Sequence, residues 1–135
     1  MLKKGVIKFR VALIAYAFAS AHPVRAADLS FPDYSGAWRI VTYGKWRAHP
    51  LCFFDQTGNR LTGSCRGLTN EGKVEGIVDG NGLKLNWDGK PYRSCGERLC
   101  TCSCTFAGKR ITASHIIGTA KRRGVTVPFE GFKRY

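Results

Sequence analysis

From about residue 37 onward, apolar and polar positions alternate in short runs, and each run breaks at glycine or asparagine. Such alternation places successive side chains on opposite faces of an extended strand. No segment carries the stripe spacing of an amphipathic helix. Eight strands are predicted. The first covers 37–47, with Trp38, Ile40 and Thr42 on one face. The second and third flank Gly58-Asn59. The fourth covers 73–79 and the fifth 83–88, joined at Gly80-Asn81-Gly82. The sixth covers about 99–107 and the seventh 111–120, joined at Gly108-Lys109. The eighth covers 125–133, after Lys121-Arg122-Arg123-Gly124.

The hairpin around Gly58-Asn59 fixes its own register. Both residues tolerate positive φ, so they suit a two-residue turn. Thr57 then faces Arg60, Phe54 faces Gly63, and Cys52 falls opposite Cys65. The turn assignment does not use the cysteines, so their alignment is an independent check. Opposed residues on antiparallel strands have close Cβ atoms, within reach of a disulfide. The alternative is two buried free thiols. The same arithmetic at residues 80–82 places Val74 opposite Trp87, Gly76 opposite Leu85 and Val78 opposite Leu83.

Connections this short make sequential strands neighbours. The predicted fold is all-β: an eight-stranded antiparallel up-and-down barrel, a meander closed on itself to remove its edges. A six-stranded partly open barrel or a two-sheet sandwich is the alternative. An eight-stranded interior is filled by side chains or holds one small ligand. Gly63, Gly76 and Gly118 fall on the inner face. They either permit strand bending or leave room for that ligand.

The first 26 residues have the form of a secretory signal peptide. Lys3, Lys4, Lys8 and Arg10 precede a short apolar run, and Val24-Arg25-Ala26 supplies small residues for cleavage after Ala26. The apolar run is too short to span a bilayer. A secreted or periplasmic chain of 27–135, forming a single β-barrel domain, is the expectation, with no transmembrane segment in it. It keeps 17 Lys and Arg against 9 Asp and Glu, a net charge of +8, and all 6 cysteines. An even cysteine count in an exported chain indicates disulfides.

Ser35-Gly36-Ala37-Trp38 opens the first strand with Gly-x-Trp, and Arg134 ends the last. With the meander, these residues resemble the signature of the calycin group of small β-barrels (lipocalins, avidins and fatty-acid-binding proteins). The resemblance implies that the first-strand Trp closes the barrel floor and that an Arg near the last strand packs across it. A guanidinium over an indole face is favourable.

Charge then distinguishes the two barrel ends. In a meander barrel the odd-numbered connections share one end, the open mouth of the calycins. Here they carry Lys45, Arg47 and His49, then Arg66 and Lys73, then Lys90, Arg93 and Arg98, then Lys121, Arg122 and Arg123. The opposite turns carry Arg60, Lys84, Lys109 and Arg110. A positive rim concentrates anions. The expected contact residues are Trp46, Tyr92, Arg93, Arg98, Arg122 and Arg123. The expected partner is an anionic small molecule, an anionic lipid, an acidic envelope polymer or an acidic protein. Rim charges that only solubilise the chain are the bland alternative. Nucleic acid is not expected, because the charges sit on loops rather than along a groove. An inhibitor that plugs an acidic envelope or host enzyme with a rim loop is a further alternative.

Cys95, Cys100, Cys102 and Cys104 form the oddest cluster. On an extended strand the last three share a face, about 7 Å from one to the next, a poor disulfide geometry. Yet any complete pairing of the four includes one bond among those three. With Gly108-Lys109 as the turn, Cys102 faces His115. Cys100, Cys102, Cys104 and His115 would then suit zinc or another soft metal such as Cu(I). A redox-active thiol near Arg93 and Arg98 is a third reading. Disulfides are the expectation, and no metal or cofactor is predicted. The nine carboxylates are scattered and no nucleophile elbow or phosphate loop appears. An enzyme is therefore not expected.

Overall fold

The computed structural model describes residues 31–91 and 102–135. Its elements are β1 (Gly36–Thr42), β2 (Leu51–Thr57), β3 (Arg60–Arg66), β4 (Asn70–Asp79), β5 (Gly82–Pro91), β6 (Cys102–Thr112), β7 (His115–Arg122) and β8 (Val125–Arg134). Each strand pairs antiparallel with the next, and β8 returns to pair with β1, closing the barrel. The six-stranded and sandwich alternatives are excluded.

The first two hairpin registers follow from their turns. Cys52 faces Cys65, and the two form a disulfide. Val74 faces Trp87, Gly76 faces Leu85 and Val78 faces Leu83. In each turn glycine alone takes positive φ, Gly58 at 60° and Gly80 at 61°, while the asparagine does not. A leading glycine is the mark of a type II′ turn, whose twist matches the strands it joins. At Arg123-Gly124 both residues are positive, 51° and 80°, as in type I′.

Two strand assignments are corrected. The first strand stops at Thr42 rather than residue 47. Gly44 takes φ 102°, and Thr42 turns its hydroxyl onto the loop, donating to the Trp46 carbonyl at 3.2 Å and accepting from Ala48 N at 2.8 Å. These local bonds compete with strand pairing. The β6–β7 turn is at Ala113-Ser114, not Gly108-Lys109. Gly108 instead pairs with Gly118 in mid-strand. A register shift between Arg110 and Thr112 marks a bulge beside the turn, which adds local twist. The starts of β4 and β5 also differ from expectation, by three residues and one, ordinary variation at a boundary, and the expected start of the sixth strand lies outside the described residues.

Inward side chains from all eight strands form one buried cluster, from Tyr34 and Trp38 through Phe106 and Phe129 to Trp87. Phe106 and Phe129 meet edge to face at 5.3 Å, a favoured aromatic geometry. The inner glycines serve packing rather than ligand space. A Cβ at Gly63 or Gly118 would strike the carbonyl of Phe53 or Ala107, and at Gly118 also the Phe129 ring at 2.8 Å.

The floor is closed by the segment ahead of β1. Tyr34 is fully buried, donates its hydroxyl to Asn81 O, and accepts the Trp38 indole N–H at its carbonyl. The cation over Trp38 is Lys133, 5.8 Å from the ring centroid, not Arg134. Alternation decides this: Val127, Phe129 and Gly131 point inward, so Lys133 follows them and Arg134 faces solvent. Arg110 covers Tyr34 in the same way, at 5.7 Å.

The outer wall mixes exposed charges, among them Asp55, Lys73, Glu75, Lys84, Lys109 and Lys121, with exposed Phe53, Ile77, Ile117 and Phe132. Charges on this face oppose a lipid-facing band of the kind that barrels need to span a bilayer. Among the described residues no helix is long and apolar enough to cross a membrane. Residues 1–26, with the expected cleavage site, lie outside the described residues.

Candidate binding site at the barrel mouth

The end opposite Tyr34 carries the connections 43–50 and 67–69 and the turn at Arg123-Gly124. Among them opens a pocket of about 200 Å³ lined by Arg47, His49, Leu68, Asn70, Trp87, Cys102 and Arg122, with small residues between.

Each of these side chains is placed by strand phase or loop bonding. On β7 the inward positions are Ile116, Gly118, Ala120 and then Arg122. Arg122 is therefore the last inward residue of its strand, and it emerges at the rim. Its guanidinium lies 5.8 Å from the centroid of the Trp46 ring. Burial, and next the neighbouring Arg123 charge, lower its pKa from the ordinary value. Trp46 is half-buried and donates its indole N–H to Val125 O at 3.0 Å, pinning the first connection to the last turn. His49 accepts Arg39 at its carbonyl, 2.8 Å away, and the residue lines the pocket. Trp87 lies on the inward row of β5, followed only by Gly89, and is buried, and its indole N–H has no hydrogen-bond partner among the described residues. An unmatched buried donor beside a pocket is a costly feature that a ligand acceptor could satisfy.

The rim is electropositive. Among its described residues, the acids Glu71 and Asp88 each sit beside a base, Arg66 at 3.9 Å and Lys90 at 3.7 Å. Lys45, Arg47, Lys121 and Arg123 are all exposed there. A larger groove of about 610 Å³ lies on the outer wall between β4, β5 and β6. Its charged residues are Asp79 and Lys84, one of each sign, so it lacks the mouth's bias.

Of the contact residues read from the sequence, Trp46, Arg122 and Arg123 come together at this end. Tyr92, Arg93 and Arg98 lie outside the described residues. Arg47 and His49, read from the sequence as mouth residues but not as contacts, join the site, as do Leu68 and Trp87, which were not singled out. Trp87 was legible in part, because the hairpin register already set its inward phase.

The cysteine and histidine readings separate. Cys102 and Cys104 pair with each other, their Cα atoms 5.4 Å apart. The strand contracts there from the extended spacing of about 7 Å that argued against such a bond. Cys95 and Cys100 lie outside the described residues. His115 pairs with Thr112, at the far end of β6 from Cys102. The displaced turn thus breaks the proposed Cys100, Cys102, Cys104 and His115 metal set. His115 instead contacts Glu130 at 2.7 Å and stacks on Phe132 at 4.9 Å. Tyr43 donates its hydroxyl to the same carboxylate at 2.8 Å.

The fold and the site define a class: a closed eight-stranded meander barrel with a floor sealed by aromatic residues and a basic mouth. It is consistent with a calycin-like barrel. No protein-family model, no curated protein and no solved structure matches this chain.

Proposed function

We propose that the protein is an exported binding protein, not an enzyme, and that it takes an anionic ligand or an acidic partner at the barrel mouth. The supporting observation is the convergence of Arg47, His49 and Arg122 on one small pocket above the buried Trp87 N–H. A pocket of about 200 Å³ is below the size that takes drug-sized molecules. It suits a carboxylate or phosphate group, with the rest of the partner over the rim. Charge-assisted hydrogen bonds from guanidinium to such groups are the strong ones. An anion beside Arg122 would favour its charged form, against the effects of burial and of Arg123.

The test is a titration of the purified protein with citrate and with pyrophosphate, followed by tryptophan fluorescence, since Trp46 and Trp87 flank the pocket. Saturable binding is expected. Arg47→Glu and Arg122→Gln should each weaken it by about tenfold or more. Lys84→Glu and Lys109→Glu, toward the other end, should leave it unchanged. Arg110 is unsuited as a control, because it packs over Tyr34. Equal loss at both ends would show only nonspecific charge attraction and would overturn the proposal.

A further inference from the structure

The basic mouth has a second property that its pocket does not explain: it carries exposed apolar tips. Leu68, in the connection between β3 and β4, is 68 % exposed, and Val125, leaving the β7–β8 turn, is 36 % exposed. Trp46 stands at the same end, its indole bonded to Val125. Lys45 and Arg47 on the first connection and Arg123 on the last turn are exposed around them. The meander topology puts all three segments at one end.

Resting on the reading of the mouth as an anion-binding end, we propose that this rim docks the barrel, mouth down, on an anionic phospholipid bilayer. The argument is one of complementarity. Interfacial binding combines shallow burial of apolar side chains with attraction between cations and anionic headgroups. Tryptophan favours the headgroup level, where its ring is buried and its N–H stays satisfied. The rim supplies all three at one end of the barrel. Its apolar tips lie on separate connections, each close in sequence to a cation, Leu68 to Arg66 and Val125 to Arg123, unlike the contiguous apolar centre of a protein–protein interface. Charges interspersed along the outer wall limit entry to the rim itself. An anionic headgroup is then held where the pocket cations converge.

The test is cosedimentation of the purified protein with two vesicle types, phosphatidylcholine alone and phosphatidylcholine carrying about 30 % phosphatidylglycerol. Sedimentation with the anionic vesicles only is expected, with a blue shift of tryptophan emission. Leu68→Ser should lower partitioning about tenfold, the cost of losing one buried aliphatic side chain. Arg123→Glu should lower it about fivefold or more. Phe53→Ser removes an apolar side chain that is 54 % exposed on the outer wall, and it should change nothing. Pyrophosphate binding should survive Val125→Ser, which removes an exposed apolar side chain of the rim outside the pocket lining, while vesicle partitioning falls. Pyrophosphate binding without vesicle binding would overturn the bilayer proposal and leave the mouth reading standing. Loss of both would overturn the mouth reading itself. Equal losses from Phe53→Ser and Leu68→Ser would also overturn the docking proposal.

Discussion

Glu130 joins two neighbours on the outer wall, the Tyr43 hydroxyl and the His115 ring. The Tyr43 bond first, and the His115 bond second, hold its carboxyl below the ordinary value of 4.5. The sign of the linkage follows. A depressed folded value contributes stability above the unfolded value, and that contribution is lost as pH falls through the folded value. Urea unfolding midpoints measured downward from neutral pH should therefore drop more steeply below about pH 4.5 in the wild type than in Glu130→Gln. Parallel curves would show that the network does not contribute. At this scale the sequence was a partial guide. It pointed to a cation over the first-strand tryptophan but chose Arg134, because the inward phase of β8 depends on its register with β1. Glu130 looked isolated, since its partners lie 15 and 87 residues away in the chain.

Hairpins show where local chemistry is enough and where it fails. Gly58-Asn59 and Gly80-Asn81 name their turns, and pairing then follows by counting. Cys52 and Cys65 confirm the first of them. Their disulfide closes a loop of 13 residues' separation, worth about 3 kcal/mol if it acts on the unfolded chain. Replacing both cysteines with alanine should lower unfolding free energy by about that amount, measured against the oxidised wild type in urea. An unchanged midpoint would place little weight on the clasp. The β6–β7 hairpin carries no such signal. Neither Ala113 nor Ser114 adopts positive φ, while Gly108 imitates a turn and is really a close approach of backbones. That error moved His115 toward the cysteines and created an apparent metal set. Gly118, its partner, is fixed by the carbonyl of Ala107 and the Phe129 ring. Gly118→Ala should destabilise the barrel by about 1–3 kcal/mol through overpacking, again read from urea unfolding. A neutral result would mean that the strand can shift at little cost.

Across the whole molecule, the two ends are built for different tasks. The floor is sealed by Tyr34 and Trp38 under Arg110 and Lys133, so its cations are placed over aromatic faces. The mouth spreads its cations around a pocket and exposes apolar tips. This division was visible in the sequence as soon as alternate connections were assigned to opposite ends, because meander order alone sorts them. The pocket was not visible. It depends on which strand-end residue faces inward, on Arg122 leaning over Trp46, and on a loop shaped by Thr42.

The seam between β1 and β8 has a consequence for synthesis. The first strand of the barrel to leave the ribosome has one of its two neighbours in β8, the last strand of the barrel. Its outer row of amides and carbonyls must wait until β8 has emerged. Throughout that interval the nascent sheet has two bare margins, each able to recruit a strand from another molecule. A truncation just short of residue 125 would make that temporary vulnerability permanent.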